Sequence, residues 1–352
     1  CKIEEEALLF TGEVFRPDFL ADMRRFHAFR AMDWTSTNAS TRTTMDMAQV
    51  RLIVSLANRT GLRPWVCLPH LITDAGIAEV VSYLHGNSRP RPIIEFSNEV
   101  WNWQFPQAKF AGAQLGGNNN RWYGRQVARV IKAARGTRCG VVACAQLVNI
   151  ATLGWTIQGI EESGARAAEL EAIAPTTYVS GDLNEYGHFP DLALGLMDRN
   201  DVAGALASLR SSLPRARAWY AQWSEVARQH GIRFWSYEGG QFHLNARQAK
   251  RDQDKLRQFY SRVQMDPRSA AVLAEYTAAF AQAGGSMEGI FNLASGSTLD
   301  GFFGVRSQPV WATFANQAAR NDDDSPAILG QSPPIRVAEQ LVSRLWRLAD
   351  DG

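Results

Sequence analysis

Pro92-Ile93-Ile94-Glu95-Phe96-Ser97-Asn98-Glu99-Val100-Trp101-Asn102-Trp103 carries the most information of any stretch in this chain. The run Ile93 to Phe96 has the length and β-branched character of a buried strand. It ends in the polar pair Asn98-Glu99, and Trp101 and Trp103 follow. A strand ending this way delivers an amide and a carboxylate to a rim walled by aromatic rings. Such a rim suits a ligand whose C–H faces stack on indole while its hydroxyls take hydrogen bonds, which are the properties of a sugar ring.

On both sides of this stretch, strand-like and helix-like segments alternate. Ala7-Leu8-Leu9-Phe10 is a poorly defined first strand, and Pro17 starts a short helix to about His27. Phe29 to Trp34 reads as the second strand and Met45 to Asn58 as a helix closed by Gly61. Pro64 to Leu68 is the third strand, and Ile77 to Leu84 a helix closed by Gly86. The opening stretch is the fourth strand. A helix from about Arg121 to Arg135 precedes the fifth, Gly140 to Leu147. Leu170 to Tyr178 is the sixth, although Pro175 argues against a central ladder position unless it sits at the strand's end. The helical region Val202 to His230 leads into the seventh, Ile232 to Glu238, and a helix over 269–283 into the eighth, Glu288 to Leu293.

This alternation predicts an α/β chain folded as a single-domain (β/α)8 TIM barrel over residues 1–320. No glycine-rich phosphate loop follows the first strand, so a doubly wound nucleotide-binding sheet loses its main support. Residues 321–334 read as a polar linker, and 335–352 as a C-terminal amphipathic helix packed on or trailing the barrel.

The 37 basic and 35 acidic residues leave a net charge of +2 with no basic block, so no nucleic-acid partner is expected. Cys1, Cys67, Cys139 and Cys144 show neither metal-ligand spacing nor a disulfide pattern, and Cys67 and Cys144 read as buried thiols in apolar strands. No metal and no cofactor are expected. Neither a signal peptide nor a membrane-length apolar run is visible. The chain opens on Cys1 rather than Met, which reads as a processed or truncated product, and the expected location is secreted or periplasmic.

In a barrel, the ends of the fourth and seventh strands share the rim that carries chemistry, so Glu99 and Glu238 are the candidate pair. Retaining glycosidases use one carboxyl as acid and then base and another as nucleophile, about 5–5.5 Å apart. Taken singly, Glu99 also reads as a helix-entry residue in a Ser-Asn-Glu cap, and Glu238 as a turn carboxylate before Gly239-Gly240.

The motifs Ser97-Asn98-Glu99 with Trp101-Asn102-Trp103, and Trp235-Ser236-Tyr237-Glu238-Gly239, resemble those of the clan A retaining glycoside hydrolases. The layout agrees over roughly residues 28 to 318. By position, the resemblance implies Glu99 as acid/base, Asn98 holding the sugar's 2-hydroxyl, Glu238 as nucleophile, and Arg30 as the arginine that supports the nucleophile. The implied activity is double-displacement hydrolysis of a β-linked polysaccharide or oligosaccharide, β-glucan or cellulose-like glycans being favoured. A transglycosylase with the same carboxylates and a catalytically silent sugar-binding barrel are the rival readings.

Around that pair, Tyr178 is a candidate hydroxyl donor to Glu238. His70 reads either as a ligand for a sugar hydroxyl or as a satisfied rim histidine. Trp34, Asp33 and Asn38 are candidates for one subsite and Trp155 for another, and Trp101, Trp103 and Trp235 for sugar-facing walls. Trp65 and Trp219 are assigned to the core and Trp346 to the tail helix.

Overall fold

The computed structural model describes residues 14–183, 191–247 and 249–291. The first strand candidate at 7–10, the linker at 321–334 and the tail helix at 335–352 lie outside the described residues, as does the end of the eighth strand candidate.

The described residues form two compact units, one built on residues 14–174 with His230–Ile232 and the other on Pro175–Gln229 with 233–291. In the first unit the helices are α1 (Pro17–Met23), α2 (Met47–Thr60), α3 (Asp74–Asn87), α4 (Pro106–Gln114), α5 (Asn119–Ala134) and α6 (Ile150–Glu162). They alternate with β1 (Ala28–Arg30), β2 (Arg63–Leu68), β3 (Ile93–Phe96) and β4 (Gly140–Ala145), and β5 (Ala172–Val179) continues into the second unit. The second unit adds α7 (Asp191–Asp198), α8 (Val202–Ser211), α9 (Leu213–His230), β6 (Arg233–Ser236), β7 (Glu238–Phe242), α10 (Gln253–Met265), α11 (Ser269–Gln282) and β8 (Gly285–Glu288).

Strand pairing follows chain order from β1 to β5 in the first unit. The registers β1–β2, β2–β3 and β3–β4 are parallel, with Trp65 opposite Ile93 and Ile93 opposite Gly140. In the second unit β5 is followed by β6 and β8, and β7 pairs in parallel with β5. This is the βα alternation with a parallel sheet expected from the sequence. Strands β3 and β4 are buried on both faces, which is why they read as continuous apolar runs. No described helix is long and apolar enough to cross a membrane.

Helix ends follow local chemistry. Asp46 caps α2 by accepting from the Ala48 N–H, and Gly61 closes it in the left-handed conformation. Thr73 caps α3 through the Gly76 N–H. Helices α4, α6, α7 and α10 were not expected. For α10 the signal was present, since Leu256, Phe259, Tyr260 and Val263 recur at helical spacing and are buried. For α6 it was masked by Gly154 and Gly159, which weaken helix propensity.

Gly159 is there for packing. Its Cα lies 3.0 Å from the position a Cβ would take on Gly124 of α5; a methyl on Gly124 would strike the Thr156 carbonyl oxygen, and one on Gly159 that of Arg121. The helices touch backbone to backbone at this crossing.

Several strand assignments are corrected. The second strand candidate is only Ala28–Arg30, because the chain turns over residues 32–36, with the Thr35 N–H on the Ala31 carbonyl at 3.3 Å, and Asp33 and Trp34 sit on that turn. Pro175 lies inside β5 rather than at its end. It lacks a donor, but its carbonyl still accepts from the Tyr237 N–H at 3.1 Å. The seventh strand candidate breaks at Tyr237, so Glu238 opens β7 instead of closing a strand. The eighth lies earlier than expected, at Gly285–Glu288. Trp219 is half-buried beneath Arg215, 5.6 Å from its ring centroid. The second unit's core is instead built on Trp223 stacked on Phe234, with Phe280 against Phe234 and Tyr220.

Gly124→Ala should lower the free energy of unfolding by about 3 kcal/mol, as overpacking does. The urea midpoint would show it, and an unchanged midpoint would mean that α5 and α6 can separate at no cost.

Candidate active site

In the first unit the site is assembled at the C-terminal ends of β1, β2 and β3. The backbone after β3 is unusual, since Ser97 (φ 60°) and Glu99 (φ 42°) both adopt left-handed conformations without being glycine. Such residues cost on the order of 1–3 kcal/mol each and concentrate at functional sites. Between them Asn98 is buried, whereas Glu99 is half-buried. Glu99 is not a helix-entry residue, because the next helix starts only at Pro106. Its carboxylate accepts from the Asn102 side-chain amide at 2.8 Å.

The Asn98 amide is held on both sides. Its Oδ1 accepts from Arg30 Nη2 at 2.7 Å, and its Nδ2 donates to Asn38 Oδ1 at 2.9 Å. Gln107, wholly buried at the start of α4, ties the loops together. Its amide nitrogen donates to Asn38 Oδ1 (2.8 Å) and to the Asn98 carbonyl (2.9 Å), and its oxygen accepts from the Ala39 N–H (3.1 Å). Arg30 also docks on Glu95, with Nε to Oε2 at 2.7 Å and Nη2 to Oε1 at 2.8 Å. Glu95 further accepts from the Trp65 indole N–H at 2.8 Å and the Cys67 thiol at 3.3 Å. Removing one partner from a buried pair of this kind typically costs about 3–5 kcal/mol.

His70, just beyond β2, is buried against Phe110, with ring centroids 5.2 Å apart. Its Nδ1 has no hydrogen-bond partner among the described residues. Burial holds its pKa below the usual 6.5. The tryptophans differ in setting. Trp103 is 52% exposed and lies against Gly112, where a side chain would collide with the indole. Trp101 and Trp34 are half-buried, and Trp155, on α6, is 42% exposed.

In the second unit Glu238 is 8% exposed and accepts from the Tyr178 hydroxyl at 3.3 Å. The Tyr178 ring is flanked by His243 and Phe291 at 5.2 and 6.3 Å. Ser236 donates to the Glu238 carbonyl at 3.1 Å and shares a 2.9 Å hydrogen bond with Thr177. Gly239, at φ 141° and opposite Thr177 in the ladder, is obligatory, since any Cβ would run into the Thr177 backbone. Trp235 is buried at 3% exposure with its indole N–H on Ser286 at 3.0 Å, so its ring presents no open face.

The first unit thus brings together Arg30, Asn38, Asn98 and Glu99, and the second brings Tyr178 to Glu238. Sequence reading missed Glu95, Gln107 and His243. Glu95 did carry a signal, a lone carboxylate inside an apolar strand that can be buried only with a partner. Gln107 and His243 carried none.

No family model matches the chain, and no curated protein sequence matches it. Among solved structures it is similar to a thermostable mutant of a xylanase from Cellvibrio japonicus, at 11% identity and a TM-score of 0.50, over 93% of this chain and 92% of that one. It also matches an endo-β-1,4-mannanase double mutant from Cellulomonas fimi (14% identity, TM-score 0.40, 81% and 69% covered) and a fungal β-1,4-galactanase (12%, 0.39, 73% and 76%). The likeness to the xylanase spans nearly the whole chain and shows the fold, a (β/α)8 barrel.

Because folded His70 resists protonation, stability is retained above pH 6.5. It falls as pH drops below that value, where the unfolded chain takes up the proton first. Wild type should lose at most about 1.4 kcal/mol per pH unit from this group between pH 7 and 5, and His70→Phe should not. Denaturant titrations across that range measure the difference, and parallel curves would refute it.

Proposed function

We propose that the chain is a retaining β-glycoside hydrolase acting on a β-linked polysaccharide or oligosaccharide. One observation carries this reading: the Asn98-Glu99 pair lies just beyond a buried parallel strand, with the Asn98 amide clamped between Arg30 and Asn38 and Glu99 on strained backbone. The fold shared with a xylanase supports it, as does the Tyr178 hydroxyl on Glu238.

In the proposed mechanism Glu99 protonates the glycosidic oxygen while Glu238 attacks the anomeric carbon, forming a glycosyl-enzyme. Glu99 then takes a proton from water, whose oxygen displaces Glu238 and releases the sugar with its anomeric configuration retained. The second N–H of Asn98 holds the 2-hydroxyl, a contact that tightens as charge develops on the ring. The Tyr178 hydroxyl donates to one oxygen of the Glu238 nucleophile and orients it. Asn38 and Arg30 act on substrate through Asn98. His70, Trp34, Trp101 and Trp103 are proposed to contact sugars, and Trp235 supports the Glu238 turn from within. The chemistry uses no cofactor. An acceptor other than water would make the same intermediate serve transglycosylation.

Glu99→Ala and Glu238→Ala should each lower turnover of an aryl β-glycoside by about 10³-fold or more, with azide partly restoring the Glu99 variant. Normal turnover in either variant would defeat the assignment. Products from β-glucan, xylan, mannan and galactan identify the glycan.

A further inference from the structure

We infer that Glu95 is a positioning residue for the sugar-binding amide of Asn98, acting through Arg30; this rests on the glycosidase reading above. The Glu95 side chain is 1% exposed and its carboxylate is saturated with donors. Oε2 accepts from Arg30 Nε, the Trp65 indole and the Cys67 thiol, and Oε1 accepts from Arg30 Nη2. That same Nη2 donates to Asn98 Oδ1 at 2.7 Å.

A guanidinium is planar and rigid. Once its Nε–Nη2 edge is docked on Glu95, the direction of the remaining Nη2 proton is set. A guanidinium only donates, so the Asn98 atom facing it is the amide oxygen. The Asn98 nitrogen must therefore point the other way, toward Asn38 Oδ1 at 2.9 Å, and this leaves its second N–H for the ligand. Asn38 Oδ1 is in turn held by Gln107 at 2.8 Å.

The orientation of a ligand-binding amide is thus determined, through Arg30, by a buried carboxylate that touches no substrate. Glutamine at 95 would keep the shape but lose the charge and replace one acceptor oxygen with a donor. The Arg30 fork would lose its dock, and Asn98 would be free to turn.

The test compares kcat/KM for an aryl β-glycoside and its 2-deoxy counterpart in wild type, Glu95→Gln, Asn98→Ala and the double variant. Glu95→Gln should lower the value about 100-fold on the 2-hydroxy substrate, as displaced binding groups do, and far less on the 2-deoxy one. It should add little in the Asn98→Ala background. Equal losses on both substrates, or full additivity with Asn98→Ala, would overturn the inference.

Trp65→Phe, which keeps an aromatic ring and removes one donor to Glu95, should give the same pattern at smaller size, and it serves if Glu95→Gln does not fold. A wild type inert on every β-glycoside would defeat the glycosidase reading instead. Positioning is then read from the Asn98 side-chain amide signals in a 15N spectrum, identified by their loss in Asn98→Ala. These signals should shift or broaden in Glu95→Gln and Trp65→Phe, and unmoved signals would overturn the inference.

Discussion

The Glu95 carboxylate sits inside the sheet of the first unit with no exposure, between strands whose other side chains are almost all apolar. A carboxylate is tolerated in such a place only if donors replace the water it has lost, and those donors must come from neighbouring strands. Arg30 supplies the charge from β1, and Trp65 and Cys67 supply further donors from β2. The parallel register makes this possible, because Cys67 and Glu95 are direct partners across β2 and β3. One buried charge therefore constrains the relative placement of three strands and, through Arg30, the loop that follows the third.

That loop is the costly part. Two left-handed residues bracket Asn98, and such backbone persists only where its surroundings over-determine it. Here the surroundings are Arg30, Asn38 and Gln107, which bind both ends of the Asn98 side chain and its carbonyl. In the second unit the corresponding device is steric. Gly239 lets the backbone pass Thr177 directly after Glu238, while Ser236 bonds to the Glu238 carbonyl and Tyr178 to its carboxylate. Each carboxylate is set by its own unit's backbone, the first through strain held by polar contacts and the second through the missing side chain of glycine.

Most of the architecture was legible from local pattern. Buried parallel strands must be apolar on both faces, so β2, β3 and β4 could be located within a residue or two, and Gly61 marked the end of α2 for the conformational reason that ends many helices. Asn98, Glu99, Tyr178 and Glu238 stood out as polar residues at the ends of such runs. What local pattern misjudged was where those runs stop. The break at Tyr237 goes with a bond to Pro175, far away in the chain. Helix α6 was hidden because its glycines look unfavourable until Gly159 is seen packing against Gly124.

Identity and order along the chain were thus enough for the periodicities, the caps and the residues able to do chemistry, because each depends on near neighbours. The partners of those residues were settled by folding alone. Glu95 looked like part of an apolar strand, Gln107 gave no sign of a role, and His70 read either as a sugar ligand or as a satisfied rim histidine. Their roles arise from which side chains the parallel register brings within 3 Å, and no local pattern encodes that distance.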